Sequence, residues 1–214
     1  MNTFKELSKS AGTDKTYYHG YHYFYPRYLE SFRTGAFSML EIGYGNGEST
    51  ELWLKYFPKA EIFVMDIDVS LTDTRLKVIK GDQSNEDDLR MITGIIGRSK
   101  FIIDDGSHNP VHQFETFQYL FKNLLEPGGI YIIEDIECSY WNPKSVLYGY
   151  QAGYFSLINH LKGLADVINH EYSGLANELM ISSVTFGQNC VVIVKRTEEE
   201  QAYFDRNYRF DYML

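Results

Sequence analysis

Only two cysteines, Cys138 and Cys190, occur in the 214 residues, and neither belongs to a CxxC pair. That excludes a disulfide framework and a cysteine-rich zinc site, and both are expected to be reduced thiols. Positive charge is scarce as well: Lys and Arg number 20 against 29 Asp and Glu, a formal net charge of −9, and the only adjacent basic pair is Lys195 and Arg196. A chain of that sign repels a phosphate backbone and offers no basic track, so nucleic-acid binding is not expected. No run approaches the ~18 apolar residues of a membrane span, and the opening residues Met1 to Glu6 lack the apolar stretch of a secretion signal. A cytoplasmic protein without membrane contacts is expected. No internal repeat or low-complexity linker interrupts the chain, and its length fits one domain over 1–214.

What the chain does have is an ordinary globular mixture, 44% hydrophobic and 23% charged residues, which excludes a disordered, collagen-like or coiled-coil chain. Aromatic residues are the exception: at 16%, with 18 Tyr and 14 Phe, they exceed what a core alone calls for. They crowd between Thr16 and Tyr25, TYYHGYHYFY, a stretch with no polar face as strand or as helix. Residues 1–36 are therefore expected to form an aromatic segment, either a plug over the sheet edge or a lid over a bound ligand.

From residue 37 short β-rich runs alternate with helical patterns, the mark of parallel strands joined by helical crossovers. Five such strands are expected: Phe37–Ile42, Glu61–Asp66, Leu76–Lys80, Phe101–Asp105 and Ile130–Asp135. The helix after the fourth has Asn109 as cap, Pro110 in its first turn and an apolar face of Val111, Phe114, Phe117, Phe121 and Leu124, and Pro127-Gly128-Gly129 is expected to end it. Ile181–Phe186 and Cys190–Val194, separated by three residues, read as an antiparallel hairpin. An ordinary dinucleotide-binding fold brings its sixth strand in parallel. The expected fold is therefore a Rossmann-like α/β methyltransferase domain, with a mostly parallel seven-stranded sheet and a C-terminal antiparallel hairpin. Residues 140–177 form an insertion, helical from about Gln151 to Leu164 and placed to shape an acceptor site.

Chemistry concentrates at the strand ends. Glu41-Ile42-Gly43-Tyr44-Gly45-Asn46-Gly47 leads into a helix opened by Glu48, Ser49 and Thr50, a glycine turn that lets a ligand touch backbone at a helix N-terminus. Glu48 stands where the dinucleotide fingerprint has its last glycine, a departure that a methionine-derived cofactor without pyrophosphate tolerates. Asp66 ends the second strand, where a carboxylate can accept both ribose hydroxyls of an adenosine, and Asp82 or Gln83 after the third can pair with an adenine edge. The densest group follows: Phe101-Ile102-Ile103 runs into Asp104-Asp105-Gly106-Ser107-His108, and Tyr131-Ile132-Ile133 into Glu134-Asp135. As neighbours ~4.8 Å apart these strands bring four carboxylates to one sheet edge. That crowding is costly unless a cation binds or some acids protonate. Oxygen donors beside a single histidine favour Mg2+ over zinc. Alternation along the strand turns one of Asp104 and Asp105 to the cofactor and the other to the metal. His108, in the turn beyond, is placed as a general base for an acceptor hydroxyl; the plainer alternative is a helix-capping histidine. His112 is expected to face solvent, and His160 and His170 have no acidic partners.

GTDK at Gly12 to Lys15 with His19 following, EIGYGNGEST from Glu41, DDGSH from Asp104, and IED ending at Asp135 with SYW beyond it together resemble the class I S-adenosylmethionine methyltransferases. More narrowly they resemble the metal-dependent macrolide sugar O-methyltransferases. The resemblance covers about Gly12 to Trp141 and the terminal hairpin. It implies an S-adenosylmethionine- and Mg2+-dependent O-methyltransferase acting on a hydroxyl of a sugar or glycosylated small molecule. Lys15, Glu41, Gly43, Gly45, Ser49, Asp66, Asp82, Gln83 and Asp104 would surround the cofactor. Asp105, Glu134 and Asp135 would hold the metal, and His108 with Asp105 would be catalytic. A small-molecule acceptor is implied, and a homo-oligomer is allowed. The stretch from Pro143 to Glu178 has no counterpart, and acceptor choice is expected there. Rival readings are a catechol-like phenol acceptor, a non-catalytic adenosine binder, which gains nothing from crowded carboxylates, and an NAD-dependent sugar dehydrogenase or epimerase. For the last, Tyr140 and Lys144 mimic a YxxxK pair, but Pro143 breaks the helix that motif needs.

Overall fold

Glu61 to Asp66 is apolar on consecutive positions rather than alternate ones, as a strand covered on both faces must be, and it becomes a central strand. The computed structural model describes residues 2–141, 146–147, 150–151 and 155–207. Its first half contains α1 (Phe4–Ala11), α2 (Asp14–Tyr17), α3 (Pro26–Leu29), β1 (Ser38–Ile42), α4 (Glu48–Tyr56), β2 (Glu61–Asp66), β3 (Leu71–Thr72) and β4 (Leu76–Lys80). Then come α5 (Glu86–Ile96), β5 (Ser99–Asp104), α6 (Pro110–Asn123), β6 (Leu125–Glu134), a short pair β7 (Val146–Leu147) and β8 (Tyr150–Gln151), α7 (Leu157–Ile168), α8 (His170–Ser173), β9 (Ile181–Gly187), β10 (Cys190–Lys195) and α9 (Glu198–Asn207).

The main sheet has the order β3-β4-β2-β1-β5-β6-β10-β9. β4, β2, β1, β5 and β6 are parallel, and β10 runs antiparallel between β6 and β9. These are the seven expected strands, with the two-residue β3 added antiparallel along β4. One boundary moves. Helix α6 ends at Asn123, and Pro127-Gly128-Gly129 lies inside β6, where the register jumps from Ser99↔Leu125 to Phe101↔Ile130. That irregularity accommodates a proline that cannot donate to a ladder. In the insertion, α7 starts at Leu157 under a Ser156 cap and buries Leu157, Ile158, Leu161 and Leu164. Pro143 and Lys144, with the rest of 142–145, 148–149 and 152–154, lie outside the described residues. Among the described residues no helix is long and apolar enough to cross a membrane.

Alternation along each strand divides the core into two layers. Met39, Ile62, Val64, Phe101, Ile103, Ile130 and Ile132 face one side, where Trp53, Tyr56 and Phe57 of the α4 region meet them. Leu40, Ile42, Phe63, Met65, Ile102, Tyr131 and Ile133 face the other, under α5, α6 and α7. The aromatic N-terminal segment belongs to the first layer: Phe4, Leu7, Ala11, Tyr21, Tyr25 and Leu29 are buried there, while Tyr17, Tyr18 and Tyr23 stay exposed. It covers a sheet face rather than an edge.

Candidate active site

β1 continues to β2 on one side, and the next strand placed beside β1 on the other is β5. The chain order therefore reverses between β1 and β5, and loops leaving the carboxyl ends of two such strands part to leave a crevice. The two loops are tied at their roots by Asp105 N–H donating to Ile42 O (3.0 Å), while Gly43 N–H donates to Met65 O at the end of β2 (2.8 Å). Gly43 has φ +94°, and a Cβ there would run into the carbonyl oxygen of Asp105; only glycine lets the loops approach so closely. Two adjoining cavities of ≈ 370 and ≈ 340 Å³ open at this point and share Gly43, Gly45, Asp105 and His108. The first is closed by Thr13, Asp14, Glu48, Ser49 and Asp135. The second is closed by Met65, Asp66, Asp82, Gln83 and Ser107. A larger groove of ≈ 520 Å³ between α5 and α6, walled by side chains such as Glu115, Gln118 and Lys122, carries neither the glycine turn nor the acid cluster.

The second cavity fits the nucleoside reading. Asp66 accepts backbone N–H groups from Tyr44 (2.9 Å), Asp68 (2.8 Å) and Val69 (3.0 Å). Burial alone would raise its pKa, but those donors hold the carboxyl below its usual value. Asp82 accepts from the Ser84 hydroxyl (2.7 Å) and N–H (2.8 Å), which likewise favour the ionised form.

The acids divide by strand face. Glu41 and Glu134 point to the N-terminal side, and Asp105, one residue past β5, continues the side of Phe101 and Ile103. There Lys15, fully buried, places its ammonium 2.7 Å from Asp105 Oδ2, 2.7 Å from Glu134 Oε2 and 3.8 Å from Glu41 Oε1. Burial by itself would pull that lysine down; the three carboxylates hold it protonated, well above its usual range. Burial also pushes Glu134 up, with Lys15 working against the push, and raises Glu41 to about 7. Tyr25 OH donates to the second oxygen of Glu134. Asp104 faces the opposite layer, fully buried, accepting from Gln83 Nε2 at 3.2 Å on both oxygens, and burial raises it to about 7.

By strand alternation alone Asp135 would leave the acid edge, but its φ of +52° turns the chain back, and His108 opposite has φ +53°. Such left-handed backbone is uncommon outside glycine and gathers at functional sites. Asp105, His108 and Asp135 thereby bring one donor atom each within 4.8 Å of one another. Asp135 Oδ2 is 3.9 Å from His108 Nε2, and Oδ1 accepts from Tyr21 OH (3.1 Å) and Asn189 Nδ2 (2.9 Å), with His19 Nδ1 at 3.5 Å. Burial, then the charge of Asp105, raises Asp135.

Of the residues expected around a cofactor, Gly43, Gly45, Ser49, Asp66, Asp82 and Gln83 line the cavities. Lys15, Glu41 and Asp104 do not: Lys15 neutralises the acids, Glu41 accepts from Trp53 Nε1 (2.9 Å) and Ser49 Oγ (2.9 Å) beneath the glycine turn, and Asp104 anchors Gln83. Of the expected metal ligands, Asp105 and Asp135 cluster with His108, whereas Glu134 has both oxygens engaged by Lys15 and Tyr25. His112 is half-buried rather than solvated, with Ser107 Oγ 3.1 Å from its Nδ1 and Asn109 Nδ2 3.3 Å from its Nε2. The sequence reading gives no role to His19, which it quotes only as part of a motif, and misses Tyr21, Tyr25, Asn189 and Gln113, whose Nε2 donates to Glu134 O (2.8 Å). The i, i+4 spacing of Tyr21 and Tyr25 was a usable signal, because a buried tyrosine needs a partner for its hydroxyl.

No family model matches the chain. Among curated proteins it is similar to 8-demethyl-8-alpha-L-rhamnosyl tetracenomycin-C 2'-O-methyltransferase of Streptomyces olivaceus, 32% identical over 89% of this chain and 54% of that protein. It is also similar to mycinamicin VI 2''-O-methyltransferase of Micromonospora griseorubida, 34% identical over 78% of this chain and 44% of that protein. Among solved structures, MycE methyltransferase from the mycinamycin biosynthetic pathway, in complex with Mg, SAH and mycinamycin VI, superposes with a TM-score of 0.82 at 30% identity, covering 93% of this chain and 55% of that one. The chain spans about half the length of these relatives. Over most of its own length it is thus homologous to part of the sugar O-methyltransferases of macrolide and polyketide glycosides, and it has their class I methyltransferase fold.

Proposed function

We propose that the chain is an S-adenosylmethionine-dependent, divalent-cation-dependent O-methyltransferase whose acceptor is a hydroxyl on the sugar of a glycosylated small molecule. The carrying observation is the juxtaposition of a cavity lined by Asp66, Asp82 and Gln83 with a donor cluster of Asp105, His108 and Asp135 beside it. The two carboxylates of this cluster suit a hard cation of the Mg2+ type. Held by Asp105 and Asp135, it would supply a positive charge that favours the alkoxide form of the acceptor. S-adenosylmethionine would supply the methyl group. His108 accepts the acceptor's proton, and the Asp135 carboxylate 3.9 Å from Nε2 stabilises the resulting imidazolium. The glycine turn and Ser49, which line the first cavity at the start of α4, would hold the cofactor's amino-acid end. Residues 140–177 shape the acceptor side in this reading. Buried Cys138 and Cys190, with thiols pushed up to about 12 by burial, suit a reducing cytoplasm.

Transfer of labelled methyl groups from S-adenosylmethionine to rhamnosylated or macrolide-sugar acceptors tests this directly. Turnover is expected with Mg2+, to vanish in excess EDTA, and to fall ~10²-fold or more in His108→Ala with cofactor affinity nearly unchanged. Undiminished transfer in EDTA would overturn the cation's role.

A further inference from the structure

Lys15 takes no part in that chemistry, yet its ammonium is fully buried against three carboxylates. One of them, Asp105, also belongs to the donor cluster with His108 and Asp135. A buried ammonium and a divalent cation at the cluster therefore draw on the same carboxylate, and like charges so near each other repel through a poorly screened interior. Glu134 is engaged by the same segment: Lys15 donates to its Oε2 and Tyr25 to its Oε1. Lys15 is delivered by α2, whose cap Thr13 accepts its N–H (3.4 Å), and Thr13 and Asp14 also wall the first cavity. The ammonium is thus fixed by the same segment that frames the site.

We propose that Lys15 is a built-in counter-cation, which keeps the acid edge folded when no metal is bound and, by sharing Asp105 with the donor cluster, weakens divalent-cation binding. This rests on reading the donor cluster as a cation site. Lys15 is a positioning residue here, acting through Asp105 and Glu134. A lysine that served only packing would lower stability on removal and leave cation affinity alone.

The test is titration of Mn2+ alone onto the full chain, followed by calorimetry and by melting temperature, for the native protein and Lys15→Met. The native protein is expected to bind one Mn2+. The variant should melt lower without metal, bind Mn2+ on the order of tenfold or more tighter, and gain more in melting temperature from it. Equal or weaker binding by the variant, with binding by the native protein, overturns the role of Lys15 and leaves the cation site standing. No binding by either overturns the cation reading and this proposal with it. Should Lys15→Met fail to fold, Lys15→Met/Glu41→Gln against Glu41→Gln alone gives the same comparison, because a carboxylate leaves with the ammonium.

Discussion

Asp104 and Asp105 are chemically identical neighbours with opposite fates, and the strand's two-residue period decides between them. Asp105 emerges at the cavities, while Asp104 is sealed under α6 with Gln83, whose Oε1 in turn accepts the Ser107 N–H at 2.6 Å. Asp104 therefore holds the turn that carries His108, one contact removed from the chemistry. Burial pushes the Asp104 carboxyl up to about 7. The folded protein keeps this proton when the unfolded chain has lost it. The contribution of Asp104 to stability accordingly falls as pH rises from the ordinary carboxylate range to about 7, and is flat beyond. Asp104→Asn keeps an oxygen for Gln83 and removes that slope. Relative to the native protein the variant should gain at least ~1 kcal/mol between about pH 5 and about pH 8. Parallel pH profiles of chemical denaturation for the two proteins would exclude the assignment.

The turn between β1 and α4 binds the site together, and its glycines are not equivalent. Gly43 faces the backbone of Asp105, whereas a Cβ on Gly45, at φ +54°, meets nothing within 4 Å. Gly45→Ala should cost only the left-handed strain, about 1–2 kcal/mol. Gly43→Ala should cost roughly 3 kcal/mol or more and abolish S-adenosylhomocysteine binding, because it pushes β5's loop off β1's. Denaturant melts and calorimetry on the pair check this, and equal losses would mean the close approach is not essential. The glycine turn was legible because its residues are contiguous and chemically unusual. The five parallel strands were legible because burial on both faces leaves unbroken apolar runs such as Ile62 to Met65. Leu71–Thr72 was not, since two residues carry no period. The end of α6 was misplaced because proline and glycine signal a break without saying whether a helix stops there or a strand is entered irregularly. The positions of Glu41 and Lys15 beneath the cavities depend on which face of β1 meets the N-terminal segment, a long-range fact that no local pattern encodes.

Across the whole molecule the net charge of −9 is not spread evenly. Asp14, Glu48, Asp105 and Asp135 all line the first cavity, and Asp66 and Asp82 the second. The backbone donors at the start of α4 would welcome an anion, but the acids around them set the opposite local potential. That combination distinguishes the two adenosine cofactors a glycine turn of this kind can serve. NAD brings a pyrophosphate into the space between its nucleosides, next to four carboxylates. S-adenosylmethionine brings a sulfonium, and S-adenosylhomocysteine a neutral thioether, each with an ammonium and one carboxylate that the α4 N-terminus can meet, and neither brings a pyrophosphate. In the proposed reading a ribose at Asp66 would be common to both molecules, so discrimination would fall on the charge of the middle portion. Without added divalent cations, S-adenosylhomocysteine should bind on the order of 10² times tighter than NAD, a gap of about 2.7 kcal/mol. Titration calorimetry of both ligands on one preparation measures it. Heat from NAD with none from S-adenosylhomocysteine would mean that the helix terminus, not the ring of acids, governs the crevice.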